Sequence, residues 1–226
     1  MDSKTIAKIA QIASALEVSG YPKPGNVHRT RDFEDMEFED FIISGIVIGD
    51  TIEKATSKVN KNCLQNARLG KYILDAVKET DKWIANNTNL GIVMMITPIA
   101  CGAAISDDFS QLRKNTSQLM EATTVEDAVD LYDAINIADA GGMGDQDEYD
   151  VASENAKEEL RANKQTMFDV LEKEYEEFIN DPANEIKEEN IYHTLYKYTL
   201  ARGLKDDKED GLLIKFINYY DEKKEE

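Results

Sequence analysis

The run from Leu90 to Ile105 carries no charged side chain, and it constrains the fold more than any other stretch of the chain. It is shorter than the roughly 20 apolar residues that cross a bilayer and is interrupted by Thr97-Pro98, so it reads as a central core helix. A helix that is apolar on all sides needs other elements packed around it. The rest of the 226-residue chain supplies helices: only 4 prolines and 12 glycines punctuate it, and no segment alternates polar and apolar residues with the period of a strand. The expected fold is all-α, a single globular multi-helix bundle spanning 1–226 as one domain, with functional loops at the helix ends.

Apolar residues at helical spacing set the individual elements. Ile6, Ile9, Ala10, Ala13 and Leu16 predict a helix over 3–19 that stops near Gly20. Phe38, Phe41, Ile42 and Ile46 predict a second, which Ile52, Ala55 and Val59 extend. Leu64, Ala67, Ile73, Leu74 and Val77 predict a third. Beyond the core helix, the spacing predicts a helix over 109–121, then one that opens on the capping box Thr123-Thr-Val-Glu126. A long charged helix capped by Ser153 is expected to run to Asn180, followed by helices over 185–201 and 208–221.

Forty-five acidic against 26 basic residues give a formal charge of −19, which argues against a general affinity for nucleic acid or an anionic membrane. A phosphate-bearing substrate must therefore meet local positive charge or a bridging metal. Cys63 and Cys101 are far apart, without the partners a zinc site needs, and are expected to be reduced and buried. The segment from Met1 to Lys8 lacks the apolar stretch of a signal peptide, from which a cytoplasmic location is expected.

Three loops carry unusual chemistry: 21–36, 81–91 and 139–150. In the first, Pro22 and Pro24 stiffen the backbone on either side of Lys23, and Gly25 permits geometry closed to other residues. Such a turn either presents an ammonium to phosphate or simply ends a helix. Arg29 adds positive charge, and His28 either contacts phosphate or serves the loop's own hydrogen bonds. Asp32, Glu34, Asp35 and Glu37 suit Mg²⁺ bridged to substrate phosphates, or form a solvated acidic turn. In the second loop Asn87, Thr88 and Asn89 either cap the apolar helix or bind ribose and phosphate at its N-terminus, with Gly91 allowing close approach. In the third, Gly141-Gly-Met-Gly144 fits neither a Walker nor a Rossmann loop and reads as a flexible hinge, or else Asp139, Asp145, Asp147, Glu148 and Asp150 ligate metal or hold a substrate hydroxyl.

Glu17-Val, Pro22-Lys-Pro-Gly25, Asp35-Met36 and Asn87-Thr-Asn-Leu-Gly91, in that order before an apolar helix, resemble the triphosphoribosyl-dephospho-CoA synthase family. The specific resemblance lies in the first 105 residues. Asn26-Val-His-Arg-Thr-Arg-Asp-Phe-Glu-Asp and Gly141-Gly-Met-Gly144 look like its archaeal branch. The chain departs from the bacterial pattern at Thr88-Asn-Leu-Gly91, where Thr-His-Lys-Gly is expected, and at Phe33, where a histidine is expected. The resemblance implies a helical enzyme that transfers the triphosphoribosyl group of ATP to an alcohol such as that of 3′-dephospho-CoA and releases adenine.

It further implies catalytic roles for Glu17 and Asp35, and substrate or phosphate contacts from Lys23, Gly25, Asn26, His28, Arg29, Asn87, Thr88, Asn89 and Gly91. Asp35, Glu34, Asp147 and Glu148 are the candidate Mg²⁺ ligands. ATP and a dephospho-CoA-like acceptor are the expected partners, possibly with a second copy of the chain, and neither nucleic acid nor membrane is expected. Two other readings stand beside this one: a Mg²⁺-dependent hydrolase of a nucleotide glycosidic or phosphoester bond, and a helical binding protein without catalysis.

Overall fold

The computed structural model describes residues 1–138 except Pro22, Pro24, Gly25, Ala85 and Asn87, together with Val151, Ser153 and residues 155–180, the last four without their side chains. The fold is all-α, as expected; a single bridge between His28 and Arg31 is the nearest approach to a strand among the described residues. The helices are α1 (Ser3–Ser19), α2 (Phe38–Val47), α3 (Gly49–Lys58), α4 (Leu69–Asp81), α5 (Leu90–Ala104), α6 (Leu112–Glu121), α7 (Val125–Ala138), α8 (Ala156–Asn163) and α9 (Met167–Asn180). The expected helices over 185–201 and 208–221, and the loop 139–150, lie outside the described residues.

Two expected helices are each divided in two. The helix opening at Phe38 breaks between Val47 and Gly49, where α2 passes into α3. Gly49 lies so close to α1 that a Cβ there would sit 2.3 Å from Gln11 Nε2, which itself donates to the Ile46 carbonyl at 2.6 Å. The expected helix from Ser153 to Asn180 stops at Lys164, which takes a left-handed φ of 55°. A new capping box restarts it: Thr166 N donates to Asp169 Oδ2 at 2.9 Å, and Asp169 N donates to Thr166 Oγ1 at 3.2 Å. Similarly, a 3₁₀ turn over Leu64–Ala67 and the left-handed Arg68 (φ 50°) precede α4, so the third helix begins later than its apolar spacing suggested.

The box at the start of α7 is shifted by one residue from the expected pair. Thr124 N donates to Asp127 Oδ2 at 2.8 Å and Asp127 N donates to Thr124 Oγ1 at 3.3 Å. This shift buries Asp127, whose Oδ1 also accepts from Gly70 N at 3.0 Å and so ties α7 to α4. Gly70 is required by that crossing, because a Cβ there would lie 2.1 Å from the Asp127 carbonyl oxygen.

Helix α5 packs against α1, α3, α4, α6 and α7. Val93 and Cys101 join Ile73, Val77, Leu131, Tyr132 and Leu160 in the main apolar core, which excludes water and so supplies the chief stabilising term. The core-helix expectation holds for that side. Helix α5 is not buried on all sides, since Met95 is 67% exposed and Ile99 43%. Cys101 is buried as expected, and its thiol is pushed up to about 12 by burial, but Cys63 is exposed because it lies in the turn ahead of Leu64. No helix among the described residues is long and apolar enough to cross a membrane.

Candidate functional site

Glu17 stands in the last turn of α1, and the chain turns back beyond it so that Lys23 folds over the helix end. Gly20 N donates to the Glu17 carbonyl at 3.2 Å and closes the helix, while Asn26 N donates to the Lys23 carbonyl at 3.2 Å and closes the following turn. Lys23 Nζ lies 2.7 Å from Glu17 Oε1. The lysine side chain is 16% exposed and the glutamate 41%, so the ammonium is drawn in while the carboxylate keeps an open edge. These two candidates, separated in sequence by the stiff turn, form one charge pair.

The remainder of the first loop is self-supporting. Asn26 accepts from Val27 N through Oδ1 at 2.8 Å, with Val27 buried against Val18 and Phe41. His28 is buried rather than open to a ligand: its ring meets Tyr21 edge-on at 5.4 Å, and Nδ1 lies 3.1 Å from Thr30 Oγ1. It serves the loop's packing. Asp32 Oδ1 accepts from Phe38 N at 2.8 Å, and Glu37 with Asp40 forms the capping box of α2, so these acids are accounted for structurally. Glu34 and Asp35 are exposed, as is Arg29.

The second loop meets the first through Asn86, whose Nδ2 donates to the backbone carbonyl of Asp35. Thr88 and Asn89 then turn inward. Thr88 Oγ1 is hydrogen-bonded to Ser44 Oγ, and Asn89 Nδ2 donates to Thr80 Oγ1 at 2.8 Å and to the Ser44 carbonyl at 3.5 Å. Asn89 is the N-cap residue of α5 but gives it no side-chain cap; its amide instead bridges α2 and α4. A Cβ on Gly91 would meet nothing within 4 Å, so the protein's own packing does not demand glycine there. Gly25, Asn87, Asp147 and Glu148 lie outside the described residues.

The structure thus joins loop 81–91 to the Asp35 end of loop 21–36, while Lys23 at the other end of that loop pairs with Glu17 of α1. Three participants escaped the sequence reading: Asn86, and the buried Ser44 and Thr80. Asn86 was part of the visible Asn-rich stretch. Ser44 and Thr80 look like ordinary helix residues, and only their meeting with Thr88 and Asn89 reveals their part.

Among the described residues no cluster of three or more His, Cys, Asp or Glu is arranged to hold a metal. That excludes a protein-only cage there, but Mg²⁺ commonly uses one or two carboxylates and completes its shell with water and substrate phosphates. The exposed Glu34 and Asp35 fit that mode.

A family model described as CitG: ATP:dephospho-CoA triphosphoribosyl transferase matches residues 3–181. No curated protein and no solved structure matches the chain.

Proposed function

The chain belongs to the ATP:dephospho-CoA triphosphoribosyl transferase family, and from that premise we propose that it moves the triphosphoribosyl group of ATP onto a dephospho-CoA-like alcohol and releases adenine. The observation that supports the site assignment is the Lys23–Glu17 pair, 2.7 Å apart at the C-terminal end of α1. In a protein of charge −19, a triphosphate needs such a localised cation. Glu34 and Asp35, both exposed, would hold through water the Mg²⁺ that accompanies ATP, and the ion would neutralise triphosphate charge.

In this reaction the bond from C1′ to the adenine nitrogen breaks, its electron pair leaves with adenine, and the acceptor oxygen forms the new bond to C1′. The proton lost by the acceptor ends on adenine. Oxocarbenium character at C1′ is stabilised by a nearby carboxylate, the role we give Glu17; Lys23 Nζ, closed to solvent against Glu17, turns outward to meet the triphosphate and so frees that carboxylate. Asp35 takes the acceptor proton as general base and passes it on through water to the departing adenine, which leaves the carboxylate ionised again. Thr88, Asn89 and His28 set the shape of the site rather than touching phosphate, because their side chains are buried in the protein's own contacts.

Incubation with ATP, Mg²⁺ and dephospho-CoA, followed by chromatography and mass measurement, tests the proposal. Adenine release that depends on the acceptor, with a product heavier by the triphosphoribosyl group, is expected. Adenine release at the same rate without acceptor would reassign the site to hydrolysis.

A further inference from the structure

Ser44 and Gly45 lie side by side in α2, buried, and take no direct part in the reaction. Yet polar side chains from three other segments of the chain converge on them. Thr80, Thr88 and Asn89 are buried beside Ser44, and Ser14 of α1 is buried beside Gly45. A buried polar group left without a partner costs about 1–3 kcal/mol, so a cluster of this kind favours one arrangement over its neighbours.

The hydroxyl protons follow from the bonds. Ser44 Oγ donates to the Asp40 carbonyl at 2.6 Å, which uses its single proton. Thr88 is therefore the donor in the bond between the two hydroxyls. Asn89 Nδ2 adds a second tie, donating to Thr80 Oγ1 at 2.8 Å and to the Ser44 carbonyl at 3.5 Å. The loop that carries Asn86 is thus fastened to α2, and Asn86 in turn holds the Asp35 carbonyl. Gly45 reaches α1. A Cβ there would lie 2.8 Å from Ser14 Oγ and 3.5 Å from Ala15 N, so the two helices cross in close contact. Glu17 is three residues beyond Ser14, about 4.5 Å along the helix.

Two consecutive residues of α2 therefore touch both halves of the site: Ser44 meets the Asp35 half through Thr88 and its loop, and Gly45 meets the Glu17 half through Ser14. Resting on the reading of Glu17 and Asp35 as the working carboxylates, we propose that Ser44 and Gly45 are positioning residues that hold those two carboxylates in register while touching no substrate. A misplacement of about 1 Å can cost on the order of a hundredfold in rate. Nucleotide binding, which rests on Lys23, tolerates such a shift better, so the loss belongs in kcat.

Thr88→Val deletes the proton that Ser44 receives at little change of shape, and Thr88→Ser keeps it; Gly45→Ala reaches the other half of the site independently. Nitroxide labels on Leu16→Cys and Glu34→Cys, both exposed, in a Cys63→Ser background report the register by pulsed spin-resonance distances without any turnover. One narrow distance is expected in the labelled parent, a broadened or shifted one in Thr88→Val, and the narrow one again in Thr88→Ser. In unlabelled chains, kcat for acceptor-dependent adenine release is expected to fall about tenfold in Thr88→Val and Gly45→Ala and to recover in Thr88→Ser, with calorimetric affinity for ATP and Mg²⁺ held within about twofold. A lower melting temperature in Thr88→Val with unchanged distances and kcat overturns the proposal, because the bond then serves stability alone. So does a Thr88→Ser variant that restores neither. Distances that follow the hydroxyl, with no acceptor-dependent adenine release from the wild type, would leave the positioning role standing and remove the transferase reading instead.

Discussion

Asn86 donates its side-chain amide to the backbone carbonyl of Asp35, joining two loops that are 51 residues apart in the chain. This contact holds the Asp35 loop against the start of α5. A single exposed hydrogen bond contributes on the order of 1 kcal/mol, a factor of about five in an equilibrium. Asn86→Ala is therefore expected to raise the KM for ATP about fivefold while leaving the melting temperature nearly unchanged. A steady-state titration beside a thermal scan checks both, and an unaltered KM would mean that the loops act independently.

Lys23 and Cys101 provide a contrast between charge and volume. Lys23→Ala removes the ammonium that faces Glu17, and charged contacts of this kind contribute about 1.5–3 kcal/mol, so triphosphate affinity should fall roughly ten- to a hundredfold. Cys101→Ala removes only buried volume; it should lower stability and leave nucleotide affinity intact. Calorimetry on both variants distinguishes them. Equal ATP affinity in the two would take the phosphate role from Lys23.

The helical class and the burial of one side of α5 are legible because period and polarity act locally. The breaks at Ile48 and Lys164 are not. Gly49 sits beside Gln11 only after the chain has folded back, and the second capping box, Thr166 with Asp169, lies inside a stretch whose charge pattern suits an unbroken helix. The site shows the same division. The stiffness of the turn around Lys23 is visible in its prolines, but its pairing with Glu17 depends on how the turn folds back over α1. His28, Thr88 and Asn89 have residue types suited to phosphate, yet tertiary contacts bury all three. A sequence records which groups a side chain carries, whereas the partners that satisfy them are set by helices distant in the chain.

Asp127 shows how strongly such a distant contact acts. It is buried, accepts from Gly70 N and from both Thr124 donors, and lies 3.7 Å from Arg68 Nε. Asp127→Ala leaves the Gly70 N–H buried without its acceptor and removes the side-chain half of the capping box that accepts from Thr124, for an expected loss of about 3 kcal/mol. Gly70→Ala drives α4 and α7 apart and should cost a similar amount, about 3 kcal/mol. Urea unfolding measures both. A loss below about 1 kcal/mol for either would show that the α4–α7 crossing relaxes readily.

Cys101 makes the stability depend on alkaline pH. Burial raises its thiol from 9.0 to about 12 in the folded protein, so between those values the unfolded chain releases a proton that the native state retains. The native state then binds more protons, and stability falls as pH rises, by up to about 1.4 kcal/mol per pH unit from this group. Cys101→Ala should start less stable near neutrality because of the cavity, but its stability should decline less steeply above pH 9.0. The exposed Cys63 offers an internal control, since iodoacetamide at mildly alkaline pH should label it in the native protein and reach Cys101 only after denaturation. Parallel urea curves for the two proteins at pH 7 and pH 10 test the linkage, and an identical pH slope in both would show that Cys101 has no part in it.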